Sequence, residues 1–216
     1  MKPISKIRAA LVALLLIAAS PALADISWES QQVIRGEGWP TRTKTIRNYH
    51  TPTQSRMDIG ENVMIADFDT MTGYVLNTDE RIFLRMDMRN VGKIPEGLKE
   101  DIQVQPTGDV RKIAGYNARR YRVSFMGRTY DEWLSKEVEG YRELKAVNDR
   151  LAPMVRSHPL FQMGIIGRMD RLDGFPVQQV MRFDDGRIKT VTLKRVSRAP
   201  IDPAMFRVPP GYGKPY

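Results

Sequence analysis

Cysteine is absent from all 216 residues, and histidine occurs twice, at His50 and His158. Without a thiol the chain has no disulfide, no thiolate metal site, no thiol nucleophile and no cysteine to acylate. Each histidine sits in a polar or proline-flanked stretch and reads as a surface residue, with no partner to orient it as a general base. Also missing are a Gly-x-Ser-x-Gly elbow, a phosphate-binding glycine loop, a dinucleotide fingerprint and a His-Glu-x-x-His helix. The pairs Asp67/Asp69 and Asp184/Asp185 read as strand-edge and turn residues rather than a catalytic dyad. Dense basic runs are lacking too: Arg119-Arg120 and Lys194-Arg195 are pairs within strand-like segments, not a nucleic-acid patch. The expectation is a non-enzymatic protein with no catalytic residue, no cofactor, no metal site and no nucleic-acid partner.

A long apolar run is present only at the start. Lys2, Lys6 and Arg8 precede an apolar run over residues 9–19, and Pro21-Ala22-Leu23-Ala24 ends in a small-x-small pattern. This predicts a signal peptide over residues 1–24, cleaved near Ala24, and a soluble periplasmic protein starting at Asp25. The run is too short to cross a ~30 Å hydrocarbon core, and no later stretch reaches the ~20 apolar residues a spanning helix needs. The chain is therefore not expected to span a membrane. The remaining 192 residues (216 − 24) suit a single domain over residues 25–216. The leader holds three of the 34 basic residues and none of the 25 acidic ones, which leaves a net charge of +6 (31 − 25). In an exported protein that charge suits solubility and anionic envelope surfaces.

Strand signals dominate the rest. Residues 26–35 and 41–49 are β-rich and flank a turn with Gly36, Gly38 and Pro40, an opening hairpin. Residues 62–69 put Met64, Ala66 and Phe68 on one face. Residues 72–76 and 81–88 flank the polar connection 77–80, and in the second of them Ile82, Leu84, Met86 and Met88 share a side that is expected to be the buried one. Residues 91–108, with Pro95, Gly97, Pro106 and Gly108, read as a loop with at most a short helix near 95–101. A second hairpin follows over 118–126 and 129–135, turning at Gly127-Arg128. Leu144, Val147 and Leu151 recur at helical spacing and predict a helix over 141–155, and a short second helix is expected over 159–166. Strands over 176–183 and 187–196 join at Asp184-Asp185-Gly186, and the prolines at 200, 203, 209 and 210 make an extended tail in which Phe206 and Val208 plug an edge or end of the sheet. The fold class is mainly β (α+β): a curved antiparallel half-barrel sheet with a helical segment over its concave face.

Several short motifs, in order, carry a resemblance. They are Ile113-Ala114-Gly115-Tyr116, Tyr121-Arg122-Val123, Glu132-Trp133-Leu134-Ser135, Gly174-Phe175-Pro176-Val177 and the tail from Asp202 to Tyr212. Together they resemble exported domain-of-unknown-function 4412 proteins, within the lipoprotein-carrier-like superfamily that includes the periplasmic lipoprotein chaperones. The resemblance implies a curved half-barrel closed by helices over an apolar cavity, and a lipid or lipoprotein as ligand.

Methionine is the remaining chemical signal, with eleven left once the initiator is gone from the 12. Thioethers can bind Cu(I), but these are scattered, which suits malleable packing or a cavity for flexible chains. Met64, Leu84, Met86, Met88 and Phe125 are the candidate ligand-lining residues. The expected function is to carry or sense an apolar or amphiphilic envelope molecule: an acyl chain, lipid or lipoprotein. The other reading is an envelope interaction module that docks a protein partner or an anionic polymer and has no cavity.

Overall fold

Local side-chain chemistry sets the chain reversals. Asn77 Oδ1 accepts from the amides of Asp79 and Glu80, and Asp67 Oδ1 accepts from the amide and hydroxyl of Thr70. Short polar side chains that mimic a backbone acceptor in this way make tight turns between strands. The computed structural model of the protein describes residues 25–89, 103–125, 128–155 and 172–214. Its elements are β1 (Ile26–Gly36), β2 (Trp39–His50), β3 (Gln54–Ile59), β4 (Asn62–Asp67), β5 (Thr72–Asn77), β6 (Ile82–Asp87), β7 (Gln103–Ile113), β8 (Tyr116–Phe125), β9 (Arg128–Ser135), α1 (Tyr141–Val155), β10 (Phe175–Arg182) and β11 (Ile188–Ser197), followed by a 3-10 turn, Pro203–Phe206.

All strands join one antiparallel sheet of 11 strands in the order β6-β5-β4-β3-β2-β1-β11-β10-β9-β8-β7. Two meanders are thus joined where the first strand pairs with the last, from Ser27↔Ser197 to Arg35↔Ile188. The sheet is curved and unclosed, a half-barrel with β6 and β7 as its edges.

Two coverings lie on β3–β6: the tail spans one face, and α1 covers one end of the other. Side chains of one parity turn to α1: Phe68, Met88 and Val147 form a buried cluster with Ala66 and Met71 against it. Leu144, four residues into the helix, joins Ile26, Trp28, Phe175, Val177 and Leu193 in the largest cluster. Side chains of the other parity, Val63, Ile65 and Leu76, pack against Phe206, with Ile201, Met205, Val208 and Tyr212 around it. The tail is a strap across this outer face. It is fastened by Arg56 Nη1 to the Met205 carbonyl (2.7 Å), by the Ile201 amide to Asp25 Oδ2 (2.8 Å), and at the β6 edge by a two-way amide exchange of Gly213 with Phe83 and Arg81.

Several expectations change. Phe206 and Val208 cover a face of the sheet rather than its edge, which Gly213 meets. On β6, Leu84 is exposed and Phe83 is the residue that packs under the strap, because the strap buries the opposite parity. Residues 103–108 are strand, not loop: a register shift between Pro106 and Val110 accommodates both Pro106 and Gly108. His50 is buried, not superficial: it pairs with Ile26 and stacks on Trp28 at 4.9 Å and 6°. The expected leader, the helix over 159–166, His158 and the first part of the expected loop lie outside the described residues.

The helix can start where it does because of Gly140, whose φ is +87° and whose carbonyl accepts the Leu144 amide. A Cβ there would lie 2.5 Å from Ile26 Cδ1, and Ile26 has no exposed surface in which to yield. Gly140→Ala is expected to lower stability by about 2–4 kcal/mol, from positive φ and overpacking together. A urea midpoint shifted down with an unchanged slope would show it; a shift below about 0.5 kcal/mol would mean that the helix start adjusts freely.

Candidate ligand-binding face

On β2–β6 the cross-strand register builds two rows that face the helix side. One runs Asn48–Met57–Met64–Val75–Leu84, the other His50–Ser55–Ala66–Gly73–Met86. The strands alternate faces, so all ten positions point the same way. α1 seals only the second row's end, where Ala66 meets Phe68, Met88 and Val147. The first row stays open to solvent: Met64 is 40% exposed and Leu84 53%, with Met57, Val75 and Met86 half-buried beside them. Gly73 makes room here, since Met86 Cε and Met88 Sδ both lie 3.4 Å from where its Cβ would be.

Of the five candidate residues, the fold therefore gathers Met64, Leu84 and Met86 on one shelf. Met88 leaves it to pack beneath α1 at 3% exposure. Phe125 is distant in the sheet, on β8 opposite Arg128, and its side chain lies outside the described residues.

Among the buried polar side chains, three bear atoms with no hydrogen-bond partner among the described residues: His50 in the second row, Asn148 and Glu132. His50 Nδ1 has no hydrogen-bond partner among the described residues, and burial pushes its pKa down to about 4, so the ring is neutral near pH 7. Both amide atoms of Asn148 on α1 are likewise unpartnered. Glu132 on β9 is 2% exposed. Its Oε1 accepts from Gln179 Nε2 at 2.7 Å, and its Oε2 has no hydrogen-bond partner among the described residues. Burial raises the Glu132 pKa to about 7, against the opposing pull of the Gln179 hydrogen bond and the Lys189 charge.

The charged groups gather elsewhere. Asp131 lies 3.5 Å from Arg182, 3.7 Å from Arg120 and 3.9 Å from Arg122, and the Arg111 guanidinium lies 3.9 Å over the ring of Trp133. A hollow of about 270 Å³ is lined by Ser27, Trp28, Glu29, Arg47, Tyr49, Arg195 and Ser197, with Glu29 Oε2 accepting from both arginines. Among the described residues no carboxylate hydrogen-bonds His50 Nδ1, and no group of three His, Asp or Glu side chains converges as a metal-ligand set.

A family model described as Domain of unknown function (DUF4412) matches residues 39–212. The chain belongs to this family. The DUF4412 match runs from the first residue of β2 to Tyr212 in the strap, so it takes in both coverings of β3–β6. No curated protein matches the chain. Among solved structures, PNGF-II is similar with a TM-score of 0.44 and 12% identity over 84% of this chain, which spans only 29% of PNGF-II. A LolA superfamily protein from Nitrosomonas europaea is similar with a TM-score of 0.39 and 9% identity, over 87% of this chain and 91% of its own. A DUF1329 family protein from Desulfovibrio piger gives 0.35 and 8%, over 85% and 90%.

Sequence reasoning missed the buried polar groups of this DUF4412 protein. For Glu132 a signal exists: Tyr130, Glu132 and Leu134 share one parity, so a carboxylate interrupts an apolar face, and Tyr130 and Leu134 do belong to one buried cluster. For Asn148 the signal is helical: Leu144 and Asn148 are four apart on the face that meets the sheet, and both are buried.

Proposed function

We propose that this protein is a periplasmic, non-enzymatic binding protein that carries or senses an apolar or amphiphilic molecule, an acyl chain, lipid or lipoprotein, on the concave face of its sheet. The observation that supports this is the open row Met57–Met64–Val75–Leu84. The same strands are covered on their outer face by the molecule's own tail, whereas on this face Met64 and Leu84 stay exposed and no described residue covers them. Three methionines in and beside the row give it side chains that re-pack around a flexible chain. Burial contributes about 25 cal/mol for each Å² of apolar surface removed from water, which makes the long hydrocarbon of an acyl chain a fitting occupant. The leader-like residues 1–24 support export to the periplasm.

Delipidated protein is expected to take up a fluorescent fatty acid saturably, and Leu84→Glu or Met64→Glu, each adding a charge at an exposed position, to weaken it about tenfold or more. Unchanged urea midpoints would show that both variants fold. Absence of saturable uptake, or equal uptake by both variants, would end this reading.

A further inference from the structure

Neighbouring hairpins reverse at one end of the sheet. The pairings Gly36↔Trp39, Arg35↔Ile188 and Arg182↔Ile188 set the β1–β2 and β10–β11 turns side by side, and Phe125↔Arg128 closes the β8–β9 turn at the same end, two residues beyond Tyr130↔Met181. Neither covering reaches here, and the first seven residues of β2, on both faces, are exposed. Trp39 opens that stretch at 52% exposure, whereas Trp28 and Trp133 are each 6% exposed. The Arg187 guanidinium lies 4.9 Å over the Trp39 ring and 5.4 Å from that of Phe183. Arg35, Arg42, Arg128 and Arg182 are exposed at this end, so with Arg187 five arginines face four acids, Glu37, Asp131, Asp184 and Asp185, and Arg182 lies 3.5 Å from Asp131. Asp185 is already paired with Arg187.

An indole half exposed at the first residue of β2 belongs to none of the core clusters, and its amphipathic ring suits the headgroup layer of a bilayer, where tryptophan concentrates. Arginines around it match phosphate in geometry and sign. We infer that this hairpin end is a docking surface for anionic phospholipid bilayers, with Trp39 entering the headgroup layer and Arg35, Arg42 and Arg128 meeting phosphates. No helix among the described residues is long and apolar enough to cross a membrane, so the contact made by this end is peripheral. The inference does not depend on what the concave face binds.

The test is sedimentation of the purified protein with vesicles of phosphatidylglycerol and phosphatidylethanolamine, against phosphatidylcholine alone. Binding to the anionic vesicles is expected, weakening with added salt, and brominated phosphatidylglycerol should quench the emission of Trp39 while leaving the two buried tryptophans bright. Arg42→Glu should reduce binding by about fivefold or more for the basic residue lost. Trp39→Ala should also lower sedimentation and abolish the quenching, and fatty-acid uptake by both variants should be unchanged. Sedimentation equal on both vesicle types, unquenched tryptophan, or full binding by Trp39→Ala would overturn the inference. Binding to soluble dextran sulfate with tryptophan unquenched by lipid would also overturn it, in favour of a polyanion surface.

Discussion

Between pH 4.5 and 6.5 the stability of this protein is expected to stay nearly level, because two buried groups titrate there in opposite senses. Glu132 has its pKa raised from 4.5 to about 7 in the folded protein. Across that interval the folded state holds a proton that the unfolded state has lost, so its contribution falls as pH rises. His50 has its pKa lowered from 6.5 to about 4. The unfolded state there binds the extra proton, and the contribution of His50 rises with pH until 6.5. Each displacement corresponds to about 3 kcal/mol at most. The carboxyls of Glu61, Asp67, Glu137, Asp173 and Asp185 are held below their ordinary values, so their contributions are lost only as pH falls further. Glu132→Gln, which keeps an acceptor for Gln179, should therefore expose a stability that climbs from pH 4 to 6.5, and should be more stable than the parent at pH 8 by up to about 3 kcal/mol. His50→Gln should show the reverse slope, declining from pH 4.5 to 7. Urea unfolding at a series of pH values measures both. Parallel curves for parent and variants would show that neither group titrates as its burial requires.

Removing the Phe206 ring is expected to have the larger effect on the fold itself. This side chain is 4% exposed and is the buried anchor of the strap against Val63, Ile65 and Leu76. Phe206→Ala should destabilise by about 3–5 kcal/mol, the range for a buried aromatic truncation. The loss should be regional as well as global, since the strap's polar fastenings at Arg56, Asp25 and the β6 edge depend on the ring to hold the tail down. Exchange of the Phe83 amide, which donates to the Gly213 carbonyl, and of the Gly213 amide, which donates to the Arg81 carbonyl, should accelerate more than exchange at Val177 or Leu193 in the central strands. Equal acceleration everywhere would show that the strap has no separate opening, and a loss under about 1 kcal/mol would mean that the cluster closes without Phe206.

Much of the architecture is legible from periodicity and turn chemistry. The hairpins at 77–80 and 184–186 follow from alternation interrupted by Asn, Asp and Gly, and the helix Tyr141–Val155 from Leu144 and Val147. What escapes is long-range. Nothing local to residues 26–36 says that they pair with residues 188–197, and that pairing with β2 and β3 beside it turns His50 from an apparent loop residue into part of the core. Proline and glycine at 106 and 108 read as breakers because a bulge, not a loop, is what tolerates them here. On β6 the period of two is legible but its sense is not: whether Phe83 or Leu84 turns inward depends on the tail more than a hundred residues later. The candidate lining residues illustrate both sides. Met64, Leu84 and Met86 share a face by simple alternation, while α1 removes Met88 from it.

The pairing of the first strand with the last also constrains when the molecule can exist. The meander β1–β6 is local, and each of its hairpins can close as soon as it is made. Its outer face nevertheless lacks its cover until the 3-10 turn Pro203–Phe206 and Gly213 are available, and β1 lacks one neighbour until β11 is complete. Contacts of such sequence separation are slow to form and leave early structure incomplete. A ribosome must therefore release nearly the whole polypeptide before the native sheet can assemble. The order of strands in the sheet thus acts as a delay built into the primary structure.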